Sequence, residues 1–142
     1  KPRIDASQVR RITDDDGRRR GVVALSRWNG RGVGMAEFIR DREDPTVADI
    51  SAAVTDEWQS QGLGTRLAHA LANVARREGV VAFTAITASG NIRARQVLAG
   101  LGDVRVVERD GATITYRVAL HGAVSPAEKR LAQSPAGPRG RP

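Results

Sequence analysis

The sequence predicts one domain of the α/β (α+β) class, a mixed central sheet flanked by helices, in the element order β-β-β-α-β-α-β-β. A chain of 142 residues with 40% hydrophobic content fits a single core, because domain sizes peak at roughly 100–150 residues. A clear helical pattern begins at Leu63, and short apolar runs bounded by turn residues lie on both sides of it. Strands that alternate with helices are typical of a sheet with parallel crossovers.

Three strand-like runs precede the first helix. The turn-rich segment 29–32 separates the first two runs, which predicts a hairpin. Asp44-Pro45 interrupts the chain before the third run. The three predicted strands are residues 22–28, 33–39 and 47–54.

The first helix is predicted by apolar residues that recur at the i, i+3, i+4, i+7 spacing of one helix face. Gly79 stands where a C-terminal glycine cap is expected. The apolar face is Leu63, Leu67, Ala70, Leu71, Val74 and Ala75.

Residues 80–86 form a continuous apolar run, which is typical of a central strand covered on both faces. A shorter helix follows and ends at Gly102. Its apolar face is Ala94, Val97, Leu98 and Leu101. The strands 104–108 and 112–120 are then predicted on either side of a turn at Asp110-Gly111.

Two of the predicted strands should form the functional centre of the sheet. Strands 47–54 and 80–86 are separated by a helix, so we expect them to lie side by side in parallel. We also expect them to splay apart at their ends, which leaves room for a ligand.

The ends of the chain differ in composition from its middle. Residues 1–20 are polar and basic and predict a partly disordered lead-in, while residues 21–121 form the predicted domain. Residues 122–142 predict a flexible basic tail rich in Pro and Gly. No apolar run approaches the ~18 residues of a membrane span, and the expected location is the cytoplasm.

Composition excludes several kinds of chemistry. The chain has no cysteine, so disulfides, thiolate zinc sites and cysteine nucleophiles are excluded. His69 and His121 lie far apart without nearby acidic clusters, and we expect no metal site. The net charge of +7 would attract polyanions, but a nucleic-acid-binding function rests on charge alone, since the chain has one Tyr, two Trp and two Phe.

The segment 54–65 carries the clearest functional signal. In it a predicted strand runs through a glycine-rich loop into the first helix. The first amides of a helix have no partner within the helix and lie at the positive end of its dipole, and glycines let a ligand approach the backbone closely. The segment therefore predicts an anion site that fits a pyrophosphate.

The string Gln59-Ser60-Gln61-Gly62-Leu63-Gly64 resembles the cofactor motif [Gln or Arg]-x-x-Gly-x-[Gly or Ala] of the GNAT superfamily of N-acetyltransferases. The resemblance implies that the backbone amides of residues 61–66 hold the pyrophosphate of acetyl-CoA. It also implies that the end of strand 47–54 pairs with the pantetheine arm and that the Val54 amide faces the thioester carbonyl. The implied cofactor-binding residues are Val54, Thr55, Gln59, Ser60, Gln61, Gly62, Leu63, Gly64, Thr65, Arg66 and Asn91.

A second stretch, Asn91-Ile92-Arg93-Ala94, resembles the family's Asn-x-x-Ala helix, in which the asparagine contacts the pantetheine. The resemblance covers roughly residues 21–120. The family often has a tyrosine seven residues after this asparagine as general acid, but Leu98 stands there. We therefore expect Leu98 to be a core residue, and the general acid is not identified.

The catalytic base implied by the resemblance is Asp49. An acceptor amine such as lysine, with a pKa of about 10.4, must lose a proton before it attacks a thioester. Ala48-Asp49-Ile50 resembles the Ala-Glu-Ile context of the glutamate base in lysine-acetylating members. Aspartate is one methylene shorter and would work through a water, and the alternative interpretation is a structural carboxylate.

The predicted function is transfer of acetyl from acetyl-CoA to a primary amine, on a protein lysine or a small molecule, by direct attack in a ternary complex. The alternative is a non-catalytic acetyl-CoA-binding regulatory module, which the leucine at position 98 favours. The family usually begins with a strand and two helices, whereas about 20 residues precede the first predicted strand here. Either the chain is a fragment, or a partner or a second copy, as a homodimer, completes the acceptor groove.

Overall fold

A computed structural model describes residues 9–13, 17–26, 29–54, 62–124 and 130–131. Within these residues, seven strands form one sheet in the order β1-β2-β3-β4-β5-β7-β6. The elements are β1 (Val9–Thr13), β2 (Arg19–Leu25), β3 (Gly32–Arg40), β4 (Val47–Val54), α1 (Leu63–Arg77), β5 (Ala82–Ala88), α2 (Ile92–Leu101), β6 (Gly102–Asp110) and β7 (Thr113–Leu120).

The predicted fold class and the order of its eight elements are confirmed, and the structure adds one strand. β1 pairs with β2 in antiparallel fashion along its whole length, inside the segment that the sequence predicts as a polar lead-in. β1 reads VRRIT, and so short a run with two adjacent arginines carries little apolar pattern. The formation of the edge strand β1 therefore depends on its pairing with β2 and not on an apolar pattern of its own.

β4 and β5 are the parallel pair of the sheet, as predicted, and α1 connects them. Their register contains three residue pairs, which begin with Val47 beside Ala82 and end with Asp49 beside Thr84. Beyond this last pair β4 runs on to Val54 beside β3, and β5 runs on to Ala88 beside β7, but the two strands no longer pair with each other. The predicted splay of the two strands is thus confirmed.

The core lies between the sheet and the two helices. α1 packs on β2, β3 and β4, α2 packs on β6 and β7, and the helices contact each other, so both cover the same face. Leu67 and Leu71 of α1 are almost completely buried, as are Phe38 and Phe83 beneath them. Full burial of each large side chain stabilises the fold by roughly 1.5–3 kcal/mol.

Glycines shape both the end of α1 and its approach to the sheet. Gly79 follows the helix with φ of 85°, and its neighbour Val80 donates to the Ala75 carbonyl, which confirms the predicted cap. Gly34 of β3 lies directly under α1, where an added Cβ would come within 3.0 Å of Leu67 Cδ1. A side chain at position 34 would therefore force the packed leucine side chains of α1 to shift by a few tenths of an ångström.

The prediction that β5 is covered on both faces is wrong. The strand is central, but Ile86 is 72% exposed because it points to the face opposite the helices, where Asp49 and Ser51 are also exposed. An apolar run alone does not reveal which faces of a strand will be covered. Among the described residues, no helix has the length and apolar content needed to cross a membrane.

Candidate active site

The splay of β4 and β5 opens a cleft of about 360 Å³ under the two helices. Its lining is mostly apolar and comes from four elements. The cleft-lining residues are Ile50, Ser51, Ala52, Gly64, Ala68, Ala85, Ile86, Thr87, Ala88, Asn91, Ala94, Val97 and Leu98. The lining includes Gly64 at the start of α1 and Asn91 at the start of α2.

The start of α1 is built as the sequence predicts. Gly62 adopts a left-handed conformation with φ of 77°, which favours glycine, and the helix begins at Leu63. The Arg66 amide donates to the Gly62 carbonyl at 3.1 Å, so this amide is occupied and does not belong with the predicted phosphate donors. The amides of Leu63, Gly64 and Thr65 precede the first helical hydrogen bond and lie at the positive end of the dipole.

Gly64 brings backbone and cleft together. It lines the cleft, and a Cβ built on it would meet no heavy atom within 4 Å. The first turn of α1 holds no acidic residue that would compete with an anion. An anionic group of a ligand can therefore reach the helix backbone directly at this point.

Asn91 is fixed at the N-terminus of α2. Its Oδ1 accepts a hydrogen bond from the Ala94 amide at 3.0 Å, which caps the helix. This bond holds the side chain at the cleft wall, with its amide nitrogen as the remaining donor group for a ligand. Leu98, one helical turn beyond Ala94, is 4% exposed and belongs to the core, as predicted.

Asp49 lies at the vertex of the splay, on the sheet face opposite the helices. Ala48 is buried and Ile50 packs against the core, so strand alternation turns Asp49 outward, where it is exposed. The Thr84 hydroxyl donates a hydrogen bond to Asp49 Oδ1 across the last β4–β5 pair. Glu37 of β3 lies beside Ser51 in the register, on the same open face.

The predicted site residues are only partly covered by the structure. Thr55, Gln59, Ser60 and Gln61 lie outside the described residues, and their predicted roles stay predictions. Val54 is the last residue of β4 and pairs in register with Gly34. The roles predicted for Asp49, Val54 and the α1 amides also stay predictions; of these residues, Gly64 lines the cleft.

Thr84, the hydrogen-bond partner of Asp49, is a residue that sequence patterns do not single out. Its one visible signal is that it is a hydroxyl side chain inside the apolar run 80–86. The partner of that hydroxyl depends on the register between β4 and β5, which the sequence does not state.

Comparison with known proteins places this arrangement in a family. The sequence model of the Acetyltransferase (GNAT) family matches residues 2–102. The chain therefore belongs to the GNAT family, whose members are acyltransferases.

Relatives of the chain include "Acetyltransferase Pat" from Mycolicibacterium smegmatis, which is 33% identical over 86 residues, 61% of this chain and 26% of that protein. A solved "cAMP-binding acyltransferase from Mycobacterium smegmatis" is similar with a TM-score of 0.65 and 26% identity, over 82% of this chain and 36% of that one. A phosphinothricin acetyltransferase from Sinorhizobium meliloti in complex with AcCoA shares the fold with a TM-score of 0.61 and 17% identity, over 84% and 67%. The chain thus spans about a quarter to a third of the first two relatives.

Proposed function

We propose that this chain transfers an acetyl group from acetyl-CoA to a primary amine. The observation that carries the proposal is the cleft between parallel strands β4 and β5, which separate after three residue pairs beside a glycine-started helix. Family membership supports acyl transfer. The solved phosphinothricin acetyltransferase with AcCoA supports acetyl-CoA as the donor for this fold.

The cleft has the polarity that a CoA thioester requires. Its anionic pyrophosphate would lie at the Leu63, Gly64 and Thr65 amides, where the helix dipole favours negative charge. The pantetheine arm would follow the edge of β4 that β5 leaves unpaired over residues 50–54, which is about 16 Å long at ~3.3 Å per residue. Asn91 would contact the arm from the opposite wall.

The chemistry then requires a free amine beside the thioester carbonyl. Asp49 would take a proton from the ammonium group, directly or through a water, and the neutral nitrogen would attack the carbonyl carbon. The Val54 amide would stabilise the negative charge that develops on the carbonyl oxygen. The carbon–sulfur bond then breaks, and CoA leaves as a thiolate that takes a proton from solvent, since Leu98 offers none.

The acceptor would approach from the sheet face opposite the helices. Asp49, Ser51 and Glu37 lie on that face, and Ile86 beside them is exposed. A broad open face admits a lysine on a protein surface as well as a small amine. The cytoplasmic location and a homodimer that completes the groove remain predictions.

A second candidate function is a non-catalytic module that binds acetyl-CoA. The observation in its favour is Leu98, which is buried in the core at the position where the family often has its acidic tyrosine. Such a module would keep the cleft and the α1 amides but would acetylate nothing.

The two functions are separated by measuring turnover and binding on the same protein. We would incubate the chain with labelled acetyl-CoA and a panel of amines, including a lysine peptide, and measure acetyl-CoA affinity by calorimetry. An acetyltransferase releases CoA only when an acceptor is present. Tight binding without transfer to any amine would favour the module, and no binding at all would refute both functions.

The proposed base is tested by Asp49→Asn. This variant keeps a carbonyl oxygen that can accept the Thr84 hydrogen bond but cannot take a proton. We expect turnover to fall roughly 10²- to 10⁴-fold, the usual contribution of a general base, with acetyl-CoA affinity little changed. Near-normal turnover at neutral pH would make Asp49 a structural carboxylate and leave the cofactor assignment untouched.

A further inference from the structure

We infer that Thr84 is a positioning residue, which holds the Asp49 carboxylate in the orientation that accepts a proton from the acceptor amine. The inference rests on the proposed acetyltransferase function. It goes beyond it by assigning a role to a side chain on β5, the strand that faces Asp49 across the vertex of the splay.

The geometry of the last β4–β5 pair carries the inference. Asp49 and Thr84 are directly paired, and their side chains lie on the same open face of the sheet. The Thr84 hydroxyl donates to Asp49 Oδ1. Among the described residues, Thr84 is the side chain that hydrogen-bonds this carboxylate, and neither β3 nor β7 supplies a second such contact.

Thr84 is suited to fix a short carboxylate. Threonine is branched at Cβ, so its χ1 angle is restricted and its hydroxyl has a defined direction. An exposed aspartate without such a partner would populate several rotamers. With Oδ1 held by Thr84, the second oxygen, Oδ2, is left as the atom that accepts the proton.

Because the Asp49–Thr84 pair lies at the vertex of the splay, the orientation of the Asp49 carboxylate would affect the reaction. Beyond Asp49 the two strands separate, and the cleft lining begins at the next residue, Ile50. A carboxylate that rotates away from the vertex would move its oxygens away from the space where amine and thioester meet. Displacements of about 1 Å in a reacting geometry can cost on the order of 10²-fold in rate.

The same hydrogen bond could instead serve only to hold β4 and β5 together at the vertex. A purely structural link would change the shape of the cleft and hence acetyl-CoA affinity and thermal stability. A positioning role would change kcat and leave both of these alone. The two roles therefore predict different readouts from the same variant.

The experiment compares Thr84→Val and Thr84→Ser in the wild-type chain and in the Asp49→Asn background. Thr84→Val removes the donor with little change in shape, and we expect kcat to fall about tenfold, with the KM for acetyl-CoA and Tm unchanged. Thr84→Ser keeps the hydroxyl and should retain most of the activity. In the Asp49→Asn background, Thr84→Val should cause no further loss, because Thr84 acts through Asp49.

Thr115→Val is the matched control. Thr115 lies on the same open face of β7, opposite Ile86 in the register, so the same substitution is made one strand away from the site. We expect its kcat to equal that of the wild type. An equal loss in this control would show that the sheet face as a whole, and not the Thr84 hydroxyl, governs turnover, and would overturn the inference.

The remaining outcomes separate this inference from the proposed function. A full effect of Thr84→Val in the Asp49→Asn background, or a loss of acetyl-CoA affinity and Tm with normal kcat, would overturn the positioning role. An impaired Asp49→Asn with a fully active Thr84→Val would also overturn it, while the proposed base would stand. An active Asp49→Asn would instead remove the base assignment itself.

Discussion

Gly64→Ala should make the protein more stable and weaken its binding of acetyl-CoA. Gly64 is the second residue of α1, and glycine in a helix is less stable than alanine by roughly 0.5–1 kcal/mol. An added Cβ meets no heavy atom within 4 Å, so no steric cost offsets this gain. For a domain of this size we expect Tm to rise by roughly 2–4 °C.

The added carbon would nevertheless lie where we propose that acetyl-CoA binds. Gly64 lines the cleft beside the amides that we assign to the pyrophosphate, so Gly64→Ala should weaken acetyl-CoA binding and Gly64→Leu should weaken it at least 100-fold, about 2.7 kcal/mol. Thermal unfolding and calorimetric titration on the same samples measure both effects. The expected signature is a higher Tm together with a weaker Kd.

Two other glycines serve as controls. Gly100→Ala, in α2, places its Cβ in ordinary contact with His69 and away from the cleft, so it should raise Tm without changing Kd. Gly62→Ala should lower stability by roughly 1–2 kcal/mol, because φ there is 77°. Wild-type affinity in Gly64→Leu would place the pyrophosphate elsewhere, and a lower Tm in Gly64→Ala would refute the argument from helix propensity.

Two further predictions concern stability. Gly34→Val should destabilise the fold by roughly 1–3 kcal/mol in urea unfolding, since its Cβ would lie 3.0 Å from Leu67 Cδ1 and 3.1 Å from Leu63 Cδ2; wild-type stability would show that α1 can shift at no cost. Hydrogen bonds from the Thr46 hydroxyl and amide lower the pKa of Asp44 below 3.8. A lowered pKa stabilises the folded protein at pH values above the ordinary pKa, and this stability is lost as the pH falls through the pKa of the folded protein. Thr46→Val should therefore lower Tm at pH 7 and match the wild-type Tm near pH 2. An equal loss of Tm at both pH values would contradict this prediction.

The helices and turns of the fold could be predicted from the sequence because local patterns determine them. The apolar spacing of α1 and the glycine after its end are local signals, and so is the turn at Gly111, where φ is 55°. β1 could not be predicted, because its five residues are stabilised by pairing with β2. The first predicted strand, residues 22–28, is shifted from β2 (Arg19–Leu25), because Arg19 and Arg20 at the start of β2 join the ladder to β3 without an apolar pattern.

The candidate site shows the same division. Gly62 and Gly64 could be placed at a helix start from the sequence, since a strand, a glycine-rich loop and a helix follow one another along the chain. The occupied Arg66 amide and the bond from Thr84 to Asp49 could not. The first depends on the exact residue at which α1 begins, and the second depends on the exact register between β4 and β5. Composition does not carry information at the level of a single residue.

The three-pair contact between β4 and β5 divides the sheet into two unequal leaves, β1 to β4 on one side and β5, β7 and β6 on the other. Backbone pairing between the two leaves is limited to these three residue pairs. Helix α1 packs on the first leaf and contacts α2, so these helix contacts must supply much of the connection. A ligand in the cleft would contact both β4 and β5 and would therefore link the two leaves. Such a ligand at 100 times its Kd would stabilise the folded chain by about 2.7 kcal/mol, so the two parts of the sheet would be held together most firmly while the cleft is occupied.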